Sequence, residues 1–240
     1  MKHRRAFLST VAATATGLSL QAHAASASLQ EKKTKADTQS ADAKPPVEQL
    51  PSDKVRAFVG SSHGRIESVK SLLSELPQLL NAAWDWKDGD WETGLGAASH
   101  VGNRDIASLL LDKGARIDTF AITMLGHTDV LKSILQHFPD THTVPGPHGI
   151  PLISHAVAGR KQADDALQLL LNAGADVNAS SNLGMTPLMM AASVGRVEVV
   201  EILLQHGAAA DAKDSQGQTA SDLAAKREHQ QVVDLLKKQS

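Results

Sequence analysis

"GMTPLMMAASVGRVEVVEILLQHGAAADAKDSQ", Gly184 to Gln216, spells out a helix–turn–helix unit almost residue by residue. Thr186 offers a hydroxyl to cap a helix, and Pro187 suits the first helical position, where no N–H is needed. Leu188, Ala191 and Ala192 place apolar and small side chains at helical spacing, so that a second helix can approach closely. Gly195 permits a tight turn. Val199, Val200, Ile202, Leu203 and Leu204 then form the apolar stripe of a second helix. Gly207 closes that helix in a left-handed cap, and Asp211 and Asp214 suit a projecting turn, or finger.

The unit recurs. "GQTASDLAAKREHQQVVDLLKK" starts 33 residues later at Gly217. "TGLGAASHVGNRDIASLLLDKGARID" starts at Thr93, with Gly102 and Gly114 standing where Gly195 and Gly207 stand. "IPLISHAVAGRKQADDALQLLLNAGADVNA" from Ile150 carries the pattern again. Period and motifs closely resemble the ankyrin repeat family, in which each ~33-residue repeat is a turn and two helices. The resemblance covers residues 53–240 and implies an all-α solenoid of about six helix–turn–helix units with short projecting fingers. The first and third units are atypical. The last ends in a polar helix with Lys226, Arg227, Glu228, Gln230, Gln231, Lys237 and Lys238, as a terminal capping repeat requires. Stacking is expected to merge the apolar faces into one continuous core.

Residues 1–24 read as a secretory signal peptide: basic at Lys2, Arg4 and Arg5, mildly apolar from Ala6 to Leu20, and ending in Ala22-His23-Ala24. Arg4-Arg5 resembles a twin-arginine signal, which exports folded proteins to the periplasm or beyond. Its removal takes the formal net charge from −2 to −5, a poor balance for nucleic acid. The chain has no cysteine, which excludes disulfides and thiol catalysis. Residues 25–52, rich in Ala, Ser, Lys, Asp and Pro, read as a disordered linker.

Departures from the period mark where function could reside. Gly114 to Gly126 is 12 residues where Gly174 to Gly195 is 21, so the third unit has lost nine, expected from its finger and part of its first helix. Three extra residues lie in "GRKQADD" of the fourth unit. Four extra residues lengthen the finger between the first and second units, within "WDWKDGDWET", Trp84 to Thr93, which holds all three tryptophans. Asp88-Gly89 favours a two-residue hairpin turn. That turn would pair Trp86 with Trp91 and Asp85 with Glu92, putting the tryptophans on one face and the charges on the other. The aromatic face would either lie on the first helices and cover the short third unit, or anchor a partner. A calcium loop is disfavoured because Trp86 and Trp91 stand where that pattern wants Asp and Gly, and the distal Glu is missing.

The histidines His100, His127, His137, His142, His148 and His155 match no compact metal motif. "VPGPHGIPL" reads as a rigid replacement finger held by Pro145, Pro147 and Pro151. No nucleophile motif or phosphate-binding loop is present, so neither catalytic residues nor a cofactor are assigned. The resemblance implies a monomeric protein-binding module with no catalysis of its own. Its expected contact set is Trp84, Trp86, Asp90, Trp91, Phe120, His148, Asn182, Met185, Met189 and Gln216. An accessory or protective subunit of a periplasmic enzyme is the alternative, and histidine-based metal binding a third. Neither nucleic acid nor a membrane span is expected.

Overall fold

The computed structural model describes residues 49–238. The signal-peptide reading of 1–24 and nearly all of the linker reading of 25–52 fall outside them. Among the described residues twelve α-helices follow one another as six pairs. They are α1 (Ser52–Ser61) with α2 (Ile66–Glu75), α3 (Gly94–His100) with α4 (Arg104–Asp112), and α5 (Thr119–Leu125) with α6 (Thr128–His137). Then come α7 (Leu152–Ala158) with α8 (Asp164–Asn172), α9 (Pro187–Ser193) with α10 (Val197–Gln205), and α11 (Ala220–Lys226) with α12 (Gln230–Lys237). The first helix begins at Ser52, one residue before the expected boundary. The inner helices α1, α3, α5, α7, α9 and α11 stack in chain order, each on its neighbour, with the even-numbered helices behind them.

The caps are those the sequence specifies. Thr186 Oγ1 accepts from Met189 N at 3.2 Å, and Thr93 (3.0 Å), Asn103 (3.1 Å) and Asp118 (2.7 Å) cap α3, α4 and α5 the same way. Gly195 and Gly207 hold φ of 73° and 86°, which L side chains adopt only at a cost. Neighbouring pairs are tied at their ends. Arg104 donates to the C-terminal carbonyls of α5, at Met124 (2.9 Å) and Leu125 (3.0 Å). Arg196 donates to Val157 O of α7 at 3.1 Å and pairs with Asp164. Arg227 donates to Ser193 O of α9 at 3.2 Å.

Two expectations are corrected. The helix α5 spans seven residues, as do α3, α7, α9 and α11, so the third unit kept its first helix and lost finger alone. Asp118, four residues after Gly114, already caps it. The core is also two clusters rather than one. Ala121, Met124 and Leu125 of α5 pack with the first two units, while Ile122 of the same helix packs with units four to six. With no finger on the third unit, α3 reaches past α5 to touch α7. The three extra residues of unit four are taken up in the short 3-10 turn Arg160–Ala163, which spans four.

Candidate functional site

The long finger is a hairpin of β1 (Ala83–Asp85) and β2 (Trp91–Thr93). Its turn is the expected one: Asp88 and Gly89 take φ of 56° and 86°, and Asp90 N donates to Lys87 O at 3.0 Å. The register is not. Trp86 N, rather than Lys87 N, donates to Asp90 O at 3.0 Å, while Lys87 N donates to Asp85 Oδ1 at 3.0 Å. Lys87 is an inserted residue, a β-bulge, and it slips the pairing by one to Ala83 with Thr93, Trp84 with Glu92 and Asp85 with Trp91. Because side chains alternate with period two, that slip exchanges faces. The expected single aromatic face is therefore overturned. Trp91 points outward beside Asp85, 61% exposed, and Trp84 and Trp86 share the inner face with Glu92.

Neither inner tryptophan covers the third unit. Both pack against the first cluster of the core, with Trp84 6.0 Å from the Arg56 guanidinium and Trp86 beside Gly60. The space over the third unit is spanned by finger-to-finger contacts. Asp90 Oδ1 accepts from His148 N and Asp90 Oδ2 from His148 Nδ1, both at 2.7 Å. The replacement finger carrying His148 is closed by a bridge between Pro145 and Pro151 and by Gly146 N donating to Ile150 O at 2.9 Å. It passes the chain of contacts on, for Asn182 N donates to His148 O at 2.9 Å.

Under this span four side chains converge. Glu92 is 1% exposed. Trp86 Nε1 donates to its Oε2 at 2.7 Å. His100 Nε2 lies 2.9 Å from Glu92 Oε1, His148 Nε2 lies 3.5 Å from the same oxygen, and His63 Nε2 lies 3.5 Å from Oε2. The Nε2 atoms of His63 and His100 are 3.1 Å apart. One potential donor atom from each of these four residues lies within 4.8 Å of all the others. Oε1 is buried without a hydrogen-bond partner, the close His100 Nε2 being hydrogen-bonded to His63 Nε2 instead. Burial pushes the Glu92 carboxyl up, but His100, the Trp86 N–H and His63 together outweigh it, and it lies below its ordinary range. Burial likewise holds the His63 ring below its ordinary value, against the attraction of Glu92.

The sequence singled out His100 and His148 but not His63 or Glu92, which come from the α1–α2 turn and the hairpin. The other histidines stay apart. His137 and His142 face backbone carbonyls of their own segments at 2.8 and 2.6 Å. His127 starts α6 without a side-chain cap bond. His155 is fully buried, stacks on Phe120 at 4.8 Å, and is pushed down to about 3 by burial. Of the expected contact set, Trp91, Asn182 and Gln216 are exposed, and Trp84, Trp86, Asp90, Phe120, His148 and Met185 are partly buried. Met189 is not available to a partner: it is 1% exposed, and its sulfur accepts from Thr186 N at 3.5 Å. Of the finger's carboxylates, Asp85 Oδ1 accepts from Lys87 N and Asp90 is engaged with His148. Among the described residues no helix is long and apolar enough to cross a membrane.

Six stacked helix pairs with projecting fingers define an all-α repeat solenoid. Residues 153–240 match the family model described as ankyrin repeats, in three copies, and this part of the chain is a set of ankyrin repeats. Such repeats are generally protein–protein interaction modules. The helix pairs ahead of residue 153 continue the same stack.

Proposed function

We propose that this chain is an exported protein-binding module, and that its partner lies against the fingers and inner helices. The observation that carries this is an apolar pocket of about 230 Å³ between the fourth and fifth fingers, walled by His148, Ile150, Leu183, Met185 and Met190. Leu183 on its rim is 66% exposed and extends the apolar wall of the pocket to the surface. Methionine walls adapt to the shape of an entering apolar side chain. The contact set is accordingly Leu183, Met185, Met190, Asn182 and Gln216, with Met189 omitted. Export, to the periplasm or beyond, rests on the signal-like residues 1–24.

The test is site-specific photocrosslinking in the native host. A photoreactive residue at Leu183 or Met190 is expected to trap one protein of discrete mass in the exported fraction. The same residue at Val130, 48% exposed on the outer helix α6, is expected to trap none. Crosslinks from Val130 alone would place the interface on the opposite side. Recovery of the protein only in the cytosol would remove the export part.

A further inference from the structure

We propose that His63, Glu92, His100 and His148 form a four-ligand site for a divalent cation of the zinc class, which clamps units one, two and four together across the fingerless third. This goes beyond the binding-module reading and does not depend on it.

The spacing of the donor atoms is the first argument. A tetrahedral Zn²⁺ ion with bonds of about 2.0–2.1 Å to imidazole nitrogen and carboxylate oxygen sets its ligand atoms roughly 3.3–3.4 Å apart. From Glu92 Oε1 to His100 Nε2 and His148 Nε2 the distances are 2.9 and 3.5 Å, and the His63 and His100 Nε2 atoms are 3.1 Å apart, values that bracket that edge, while one ligand atom from each of the four residues lies within 4.8 Å of all the others. Three nitrogens and one oxygen are the donor set of a borderline cation, and too few oxygens for calcium.

Proton placement is the second. His148 Nδ1 is the donor to Asp90 Oδ2 (2.7 Å), and His63 Nδ1 the donor to Gly60 O (3.3 Å). In a neutral ring each leaves Nε2 as a bare lone pair aimed at the cluster. Asp90–His148 is thus the carboxylate–histidine arrangement that orients metal ligands. Trp86 holds Glu92 Oε2, which frees Oε1, a buried oxygen lacking a hydrogen-bond partner. Lone pairs this close need a positive centre between them, and a divalent ion would take the place of the proton that His100 Nε2 otherwise shares with His63 Nε2 at 3.1 Å.

The elements supplying the ligands give the site its role. They come from the α1–α2 turn, the bulged hairpin, the end of α3 and the replacement finger. All four ligands belong to the protein, the pattern of structural rather than catalytic zinc. The core is divided at α5, and the chain has no cysteine to staple it.

The experiment uses the purified chain dialysed against chelator, titrated calorimetrically with Zn²⁺ and, in parallel, with Co²⁺ followed by visible absorption. One Zn²⁺ per chain is expected, with an intense tetrahedral Co²⁺ band and a thermal midpoint that rises with added zinc. His148→Ala and His63→Ala are expected to weaken binding at least 100-fold. Asp90→Asn, which leaves every ligand in place, should weaken it 10–100-fold. His137→Ala and His142→Ala should change nothing. The Co²⁺ spectrum of the unsubstituted chain does not depend on any variant folding. No saturable binding, an octahedral Co²⁺ spectrum, or binding that survives His63→Ala and His148→Ala in folded protein would each overturn the proposal.

Discussion

Acidification should destabilise this protein through His155, by an amount that can be worked out. The ring is fully buried against Phe120. Its Nδ1 faces Pro151 O at 3.2 Å, and Nε2 has no partner to accept a proton's charge. Burial lowers its pKa from 6.5 to about 3. The unfolded chain therefore takes up a proton that the folded chain refuses, and stability falls as pH drops below 6.5, levelling off only near 3. At pH 7.5 the effect is negligible. At pH 5.5 the unfolded state is about ten to one protonated at this residue, a loss of about 1.4 kcal/mol. The assay is urea unfolding followed by circular dichroism at the two pH values, in chelator, for the natural chain and for His155→Leu. Losing the Pro151 contact costs the variant stability equally at both pH values, so it cancels in the comparison. The natural chain should lose about 1.4 kcal/mol more than the variant between pH 7.5 and 5.5. Equal losses would show that His155 is accessible to protons, and the packing described around it would be wrong.

The close approach of the inner helices at the fingerless unit makes Gly159→Ala severe. Its φ is an ordinary −67°, but a Cβ there would lie 2.0 Å from Met124 O, so a cost of at least ~1–3 kcal/mol is expected in urea unfolding. Gly64→Ala, with open space around it, is the neutral control. Deleting Lys87 removes the bulge and leaves Asp88-Gly89 as a two-residue turn in the same register, so the deletion variant should fold with unchanged stability within about 1 kcal/mol. Trp86→Phe leaves Glu92 Oε2 buried without its donor and should cost ~1–3 kcal/mol, whereas Trp91→Ser on the outer face should fall within about 0.5 kcal/mol of the natural chain. Asp118→Ala removes the cap that starts α5 directly after the lost finger and should cost ~0.5–2 kcal/mol by the same assay.

The helix pairs were legible because each boundary is signalled by one or two local residues. Thr186-Pro187 starts a helix, Gly195 turns it, and Gly207 ends its partner, whatever lies around them. The lost finger of unit three was legible as a deficit between Gly114 and Gly126, but not its distribution, since nothing but Asp118 marks where the shortened unit resumes. The hairpin tip was legible from Asp88-Gly89. Its register was not, because that depends on whether Lys87 N pairs across the strands or turns to Asp85 Oδ1, a choice of one hydrogen bond. That bond decides whether Trp91 or Glu92 faces inward. The four-residue cluster was the least accessible. His63, Glu92, His100 and His148 have no spacing that any single helix or loop could read, and they meet only because the stack brings unit four's finger beside unit two's. Two of the histidines stood in the sequence beside four that stay apart, and only the fold separates them.

The bulged register and the four-residue cluster both require Glu92 rather than Trp91 to face inward. Acrylamide quenching of single-tryptophan variants measures this directly. One keeps Trp86, with Trp84 and Trp91 replaced by Phe, and the other keeps Trp91, with Trp84 and Trp86 replaced. The bulged register predicts strong quenching of Trp91 and a shielded Trp86, whose indole N–H is engaged by Glu92. Equal shielding of the two would mean that they share a face, restoring the unbulged register and taking Glu92 out of the cluster.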